Sequence, residues 1–223
     1  MIVSIPKPFE EVLAWLKDEQ NLFLIGCGLC ATSCQSGGER QVAAVQRQLE
    51  SCGKRVVGST VLEVACNARE VKRSLRPYLR SLAAAEGVVV LACGGAVQCV
   101  LQTLRELDLP YLSVHPGCNT IMQGEFRERR FEQQCSLCGQ CRLERTGGIC
   151  VTTRCAKGLQ NGPCGGTKDG RCEIDPERAC AWVLVFDRLR ELGKQDCLGE
   201  LAPLRDFRRV GPANAVPLRK SKP

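Results

Sequence analysis

Histidine and aromatic side chains are scarce in this sequence. Its 223 residues hold one histidine, His115, with two Trp, two Tyr and six Phe. A single histidine excludes His-rich catalytic zinc and the Cys/His zinc finger, so a metal site here must be built almost wholly of thiolate. Few rings weigh against single-strand nucleic-acid binding, which stacks bases on aromatics set among basic residues, and residues 135–180 contain no aromatic. Long apolar runs are missing too. The longest, near residues 22–25 and 88–93, fall far short of the roughly 20 residues that span a bilayer. The opening MIVSIPKPFEEVLAWLKDEQ has no basic, apolar, small-residue signal pattern, and Glu10, Glu11, Asp18 and Glu19 argue against a transit peptide. No Ser/His/Asp set or paired carboxylates stand out. The glycine pairs at 94–95, 147–148 and 165–166 lack the Lys-Ser/Thr that follows a phosphate loop, and read as turns. These absences predict a cytoplasmic chain that serves a catalyst rather than being one.

What is abundant is cysteine, with 17 residues. At 44% apolar content the chain can bury a core without disulfides. In a reducing compartment, clustered cysteines hold metal more often than they pair. Residues 1–130 read as alternating helices and strands. Phe9, Val12, Leu13 and Leu16 recur at helical spacing. Residues 22–26 form a short buried strand ending at Cys27, and Val42, Val45 and Leu49 mark a helix that Gly53 closes. Residues 55–64 are a strand ending near Cys66. Asn67 caps a helix carrying Val71, Leu75, Leu79 and Leu82, with Pro77 as a kink. An apolar strand at 87–92 ends at Cys93, a helix follows at 96–107, and a strand at 111–114 precedes Cys118. This is the pattern of an α/β domain with a Rossmann- or flavodoxin-like parallel sheet covered on both faces. Ligands collect at the carboxyl ends of such strands, and Cys27, Cys66, Cys93 and Cys118 all fall just past one.

The grammar changes over residues 131–195. Eight cysteines are interleaved with Gly, Asn, Thr and Lys, and almost no apolar periodicity is visible. Such a stretch cannot bury enough surface to fold by itself, and metal binding would supply the missing free energy. Asp175-Pro176 predicts the cap and first turn of a closing helix that carries Trp182, Phe186, Leu189 and Leu192 and stops at Gly193. The expectation is a small, cysteine-rich, mostly irregular iron–sulfur module ending in a helix, followed by an extended basic tail over 196–223.

Within the module, Cys135-x2-Cys138-x2-Cys141 is followed by Cys150, Cys155, Cys164, Cys172 and Cys180. Two-residue gaps let three thiolates converge on one cluster, as in ferredoxin-type ligation. Eight cysteines make two four-thiolate sites. Structural zinc usually brings two Cys-x2-Cys knuckles, and the second is absent. Two 4Fe–4S clusters are expected, with one cluster plus one zinc as the rival, and spacing leaves open which cysteine serves which site. Nearer the N-terminus, Cys27, Cys30 and Cys34 fall within eight residues of a strand end, among Gly26, Gly28, Gly37 and Gly38. A third cluster, or zinc, would sit there, with Cys93 or Cys66 completing it. Cys52 and Cys197 read as free thiols, Cys99 as core, and Cys118 as either ligand or core. His115 is expected to pack or hydrogen-bond rather than catalyse. The alternative for the whole chain is a zinc-stabilised cysteine-rich nucleic-acid-binding module, or a redox/assembly module using Cys27 and Cys30 as a Cys-x-x-Cys pair.

The blocks CSLCGQCRLERTGGIC, TRCAKGLQNGPCGG and GRCEIDPERACAW, with GCGLCATSCQSGGE and VLACGGAVQ nearer the N-terminus, resemble the iron–sulfur small subunit (MetV type) of multi-subunit methylenetetrahydrofolate reductases. The resemblance runs from about residue 22 to 192. It implies a place in reductive one-carbon metabolism, beside a flavin-containing MetF-type TIM-barrel subunit that reduces methylenetetrahydrofolate on its FMN. This chain would pass electrons to that flavin from a ferredoxin, an Rnf-type or a heterodisulfide-reductase-type module. Carried over by residue, the implied ligands are Cys135, Cys138, Cys141, Cys150, Cys155, Cys164, Cys172 and Cys180, plus Cys27, Cys30, Cys34 and Cys93 or Cys66. Val151 stands where the family pattern has proline, which alters a turn and leaves ligation untouched. The formal charge of +7 counts thiols as neutral. With about −2 on each of three oxidised sites, the loaded chain falls near about +1, which further disfavours nucleic acid as a partner.

Overall fold

The computed structural model describes residues 1–109, 111–127 and 130–205. The chain divides into two compact units, Met1–Met122 and Gln123–Pro223.

Unit 1 begins with strand β1 (Ile2–Pro6) and helix α1 (Phe9–Trp15), then β2 (Asn21–Cys27), the single turn α2 (Cys30–Ser33) and α3 (Glu39–Ser51). It continues with β3 (Arg55–Leu62), α4 (Ala68–Leu75), α5 (Leu79–Ala83), β4 (Gly87–Leu91), α6 (Gly94–Glu106) and β5 (Ser113–Pro116). Four of these strands form a parallel sheet in the order β3-β2-β4-β5. The α/β expectation, a parallel sheet with helices, is therefore met. β2 and β4 are almost wholly buried, as continuous apolar strands covered on both faces must be. One buried cluster joins Phe23, Ile25, Val88 and Val90 to α4 and α6 through Val71, Leu75, Val100 and Leu104. The other joins Leu22, Leu24, Val89 and Leu91 to α1 and α3 through Val12, Leu16, Val42 and Leu49. Alternate residues of each strand feed opposite clusters, as the two-residue strand period requires.

Local details follow from residue chemistry. The Asn67 side chain accepts the Glu70 N–H at 3.3 Å and starts α4. Pro77 does more than kink that helix: Arg76–Tyr78 is a 3-10 turn that separates α4 from α5, because proline cannot supply the N–H that a continuous helix needs. His115 pairs with Glu19 at 2.9 Å. At the sheet's carboxyl edge, a Cβ on Gly37 would meet the Leu91 carbonyl oxygen at 1.7 Å, and one on Gly26 would meet the Gly37 carbonyl oxygen at 2.4 Å. Only glycine allows the loop after α2 to lie that close to β2 and β4.

Three strands have no counterpart in the expected pattern: β1 and two that follow β5. β6 (Cys118–Arg127) starts in unit 1, lies next to β1 in a second sheet of order β1-β6-β7, and carries the chain into unit 2. There it pairs antiparallel with β7 (Arg130–Cys135), and Phe126 faces Phe131 with ring centroids 5.0 Å apart. The module is thus less irregular at its entry than expected. Its charged, aromatic-flanked sequence lacks strict alternation, so the hairpin leaves little trace in periodicity.

The rest of unit 2 is loop-rich. It holds a 3-10 turn (Leu143–Thr146), the short helix α7 (Val151–Arg154) and α8 (Ala181–Glu191). α8 starts later than expected, with Cys180 at its cap position. Asp175 instead closes a separate turn: its backbone carbonyl accepts Arg178 N–H at 2.9 Å, and its carboxylate accepts Glu177 N–H at 3.2 Å. An Asx turn and a helix cap use the same side-chain chemistry, which is why the sequence misleads here. The tail also departs from expectation. Gln195–Gly199 is a 3-10 turn, residues 200–205 are tied back onto unit 2 by hydrogen bonds, and residues 206–223 lie outside the described residues.

Candidate metal centre

Eight of the nine cysteines of unit 2 line two pockets, four in each. Cys135, Cys138, Cys141 and Cys150 line one cavity of about 390 Å³. Cys155, Cys164, Cys172 and Cys180 line another, of about 20 Å³. Spacing left the division open; the two pocket linings divide the eight thiols four and four.

The first group is assembled by turns. Leu137 and Gly139 both have positive φ, +56° and +67°, one in each two-residue gap of the Cys-x2-Cys-x2-Cys run. A non-glycine residue in that region costs energy and persists where the surroundings hold it. The turns bring the three thiols to one wall, and the Leu137 N–H donates to Cys135 Sγ at 3.3 Å. Cys138 Sγ lies 3.7 Å from the Gln140 carbonyl. Cys150 comes from the cap position of α7. Burial pushes its thiol up, but the hydroxyl and amide groups of Thr153 and Thr152 outweigh burial and hold it below the ordinary thiol value. That favours the thiolate, the form that binds metal.

Sequence reasoning missed the far wall of this cavity. Arg205 lines it, and its guanidinium donates to Thr152 Oγ1 at 3.1 Å and Gln160 Oε1 at 3.0 Å. The strand of chain leading to it is fastened at three further points. Arg142 donates to the Pro203 carbonyl at 2.6 Å, Arg145 to the Glu200 carbonyl at 2.7 Å, and Ala202 N–H to Asn161 Oδ1 at 2.7 Å. A lone arginine in a basic, proline-containing segment carries no sequence signal for such a role.

In the second group, Gly165 at φ +80° turns the chain so that Gly166 N–H donates to Cys164 Sγ at 3.4 Å. Cys164 Sγ also donates to Glu173 Oε1 at 3.2 Å, and Lys157 pairs with the same carboxylate. The Lys157 ammonium and then the Cys164 thiol hold Glu173 below the usual carboxylate range. Cys172 and Cys180 are fixed by backbone bonds, Cys172 N–H to the Arg178 carbonyl at 3.0 Å and Cys180 N–H to the Gly170 carbonyl at 2.8 Å. Unit 2 has its own small core of Val151, Trp182, Val185 and Leu189, with Ile149, Cys155 and Cys180 packed on it; Val151 also lines the first cavity and Trp182 the second.

In unit 1, Cys27 ends β2, Cys30 opens α2, Cys66 follows β3 and Cys93 caps α6. Cys66 is exposed as a residue, yet its thiol is raised, first by partial burial and then by its neighbours Cys93, Cys27 and Cys30. Cys34 turns elsewhere, with Sγ 3.6 Å from the Ile2 carbonyl. Cys118 is buried and lies 3.3 Å from the Ser36 carbonyl, and burial pushes its thiol up to about 11. Cys99 packs against the core and Cys52 is exposed. Cys197, expected as an isolated free thiol, packs against the core of unit 2.

The donor sets can be matched to the metals they suit. Amides aimed at sulfur, as at Cys135 and Cys164, are the bonds that tune iron–sulfur clusters. Among the described residues no three His, Cys, Asp or Glu side chains are gathered as ligands of a metal ion. All-thiol donor groups with amides aimed at sulfur are the donor type that iron–sulfur clusters use, each thiolate on its own iron. No helix among the described residues is long and apolar enough to cross a membrane.

Comparisons with known proteins bear mainly on unit 2. Comparison with curated proteins gives no match. A branched chain amino acid ABC transporter periplasmic ligand-binding protein from Burkholderia xenovorans aligns with 49% of this chain and 27% of its own, at 23% identity and a TM-score of 0.37. A LacI family transcriptional regulator from Arthrobacter sp., solved with lactose, aligns with 48% of this chain and 38% of its own, at 19% identity and a TM-score of 0.35. The chain thus spans well under half the length of either, and likenesses at that level carry no argument about function. Residues 115–208 match the family described as methylene-tetrahydrofolate reductase C terminal. That stretch contains every cysteine of the two unit 2 cavities and is what this chain shares in likeness with that family.

Proposed function

We propose that this chain is the iron–sulfur subunit of a methylenetetrahydrofolate reductase complex and delivers electrons to the FMN of a MetF-type TIM-barrel partner. The observation that carries the reading is the division of eight cysteines into two cavities of four, within the segment that matches the reductase family. A 4Fe–4S cluster takes up and releases one electron at a time.

Each feature of the two cavities suits that use. Cys135, Cys138, Cys141 and Cys150 would hold one cluster, and Cys155, Cys164, Cys172 and Cys180 the other. Leu137 N–H and Gly166 N–H donate to ligand sulfurs and so stabilise the more negative, reduced state. Arg205 and Arg142 on the first wall, and Arg154 and Lys157 on the second, offset anionic charge in the same way. Reducing a methylene carbon to methyl consumes two electrons and two protons. A donor of the ferredoxin, Rnf or heterodisulfide-reductase class would therefore act through this chain twice per turnover.

The test is delivery. The anaerobically purified chain is mixed with the flavin-containing barrel subunit and a reduced ferredoxin, and FMN absorbance is followed. Bleaching that requires this chain, and that fails after Cys138→Ser or Cys164→Ser, supports the reading. Equal bleaching with and without the chain overturns it.

A further inference from the structure

The outer face of α4, the 3-10 turn after it and α5 carries a charge pattern that the thiol cavities do not use. We propose that this face is the docking surface for the acidic one-electron carrier protein that supplies the chain. The inference rests on the electron-delivery reading above and names where its donor binds.

Spacing defines the surface. Residues 68–80 hold five cations, Arg69, Lys72, Arg73, Arg76 and Arg80, against one carboxylate, Glu70. The four arginines follow one another at intervals of four, three and four residues. At about 3.6 residues per turn that is a single stripe, and the backbone stays right-handed helical at Leu75, Arg76 and Leu79 on either side of Pro77. Val71, Leu75 and Leu82 fall on the opposite side and are buried in the core of unit 1. All four arginines are exposed.

The stripe is poorly neutralised. Arg73 pairs with Glu70 at 2.7 Å and Lys72 with Glu106 at 3.2 Å. Among the described residues, Arg69, Arg76 and Arg80 have no carboxylate or hydrogen-bond partner for their side chains. Unit 2 differs: each of its described arginine side chains has a partner, as Arg145 has Glu200, Arg178 has Asp175 and Arg190 has Asp187. Like charges three or four residues apart destabilise a helix. Arg69 is also the second residue of α4, where the helix dipole disfavours a cation. An acidic surface laid on the stripe removes both penalties.

The chemistry of the face selects its occupant. Leu79, 37% exposed, is the single exposed large apolar side chain of residues 68–83. Permanent subunit interfaces have an apolar core, whereas encounters between redox proteins are small, polar and steered by charge. A carrier that arrives and leaves fits this face; a flavin subunit that stays bound does not. The ring at hand, Tyr78, packs edge-on against Phe23 with centroids 5.6 Å apart, so it is not free to stack a nucleic-acid base. The apolar residues of α4 are spent on the core, which leaves none to enter a bilayer.

The experiment measures association of the full chain with an acidic ferredoxin between about 0.01 M and 1 M salt. Arg69→Glu/Arg76→Glu/Arg80→Glu should slow association about 10- to 1,000-fold at low salt and flatten its salt dependence. Its thermal midpoint should be no lower than that of the wild type, because the three side chains are exposed. Arg40→Glu/Arg47→Glu/Arg55→Glu makes the same change in charge at exposed positions on α3 and β3, and should slow association less than about tenfold. Equal slowing in the two variants, unchanged association in the first, or a wild type that does not bind the ferredoxin overturns the assignment. So does loss of binding to the flavin barrel subunit, or to RNA or anionic vesicles, in place of the ferredoxin. Association requires no electron transfer, which keeps the two readings apart. A chain that binds ferredoxin on this stripe and yet leaves FMN unbleached fails the parent reading. One that bleaches FMN at an undiminished rate with the stripe reversed fails this one.

Discussion

Truncating Leu189 to alanine should weaken metal retention as well as stability. Leu189 is fully buried on α8, in a small core whose other buried members among the described residues are Val151, Trp182 and Val185. Val151 follows Cys150 of the first group, and Trp182 is two residues past Cys180 of the second. A buried Leu→Ala change costs about 2–5 kcal/mol, and the upper half applies where few neighbours can close the gap. Metal binding in small thiolate modules is coupled to folding, so a folded state weakened by that amount binds metal more weakly by the same amount. The corresponding factor is roughly 300- to 4,000-fold. Hydrogen exchange with mass spectrometry on the loaded chain reads this directly. Amides of α7 and α8 should lose protection in Leu189→Ala, while β2 and β4 keep theirs. Leu24→Ala, in the central strand of unit 1, should do the reverse. Equal loss in both units, or unchanged protection and iron retention in Leu189→Ala, would refute the coupling of this core to the thiol groups.

Three further outcomes are expected. Arg205→Gln removes a guanidinium from the wall of the first cavity, so one unit 2 cluster should become harder to reduce and the other stay unchanged in a titration followed by electron paramagnetic resonance. Arg205→Lys should lie between; a shift of both clusters together would show a general loosening instead. Cys118, with its thiol raised to about 11, stays protonated at neutral pH because a raised value delays thiolate formation. Its alkylation should remain slow until pH approaches about 11, and rapid labelling at pH 7 would contradict its burial. Asn67→Ala should cost about 1 kcal/mol through loss of the α4 cap, measured by denaturant unfolding, with no change in iron content.

The parallel sheet was legible because its strands are buried on both faces. Runs such as 87–91 announce themselves without any need for alternation, and helices like α3 and α6 show one apolar stripe. The hairpin of β6 and β7 was hidden because Phe126 and Phe131 are its main apolar cross-strand pair and charges surround them. Asp175-Pro176 reads equally as a turn or a helix start, and only the backbone of the cysteine loops decides in favour of the turn. Candidate ligands were visible as residue types, since seventeen cysteines and one histidine leave little else. Their division into groups was not, because it depends on positive-φ turns at Leu137, Gly139 and Gly165. Arg205 was invisible for a simpler reason: its partners Thr152 and Gln160 lie 45 or more residues away in sequence.

The central claim is that thiolates in this chain hold iron–sulfur clusters. It is tested most directly by iron, acid-labile sulfide and zinc determinations on anaerobically purified full-length protein. The account predicts a brown protein with iron and sulfide in equal amounts, about four of each for every set of four cysteines. A colourless protein with stoichiometric zinc and no iron would contradict it.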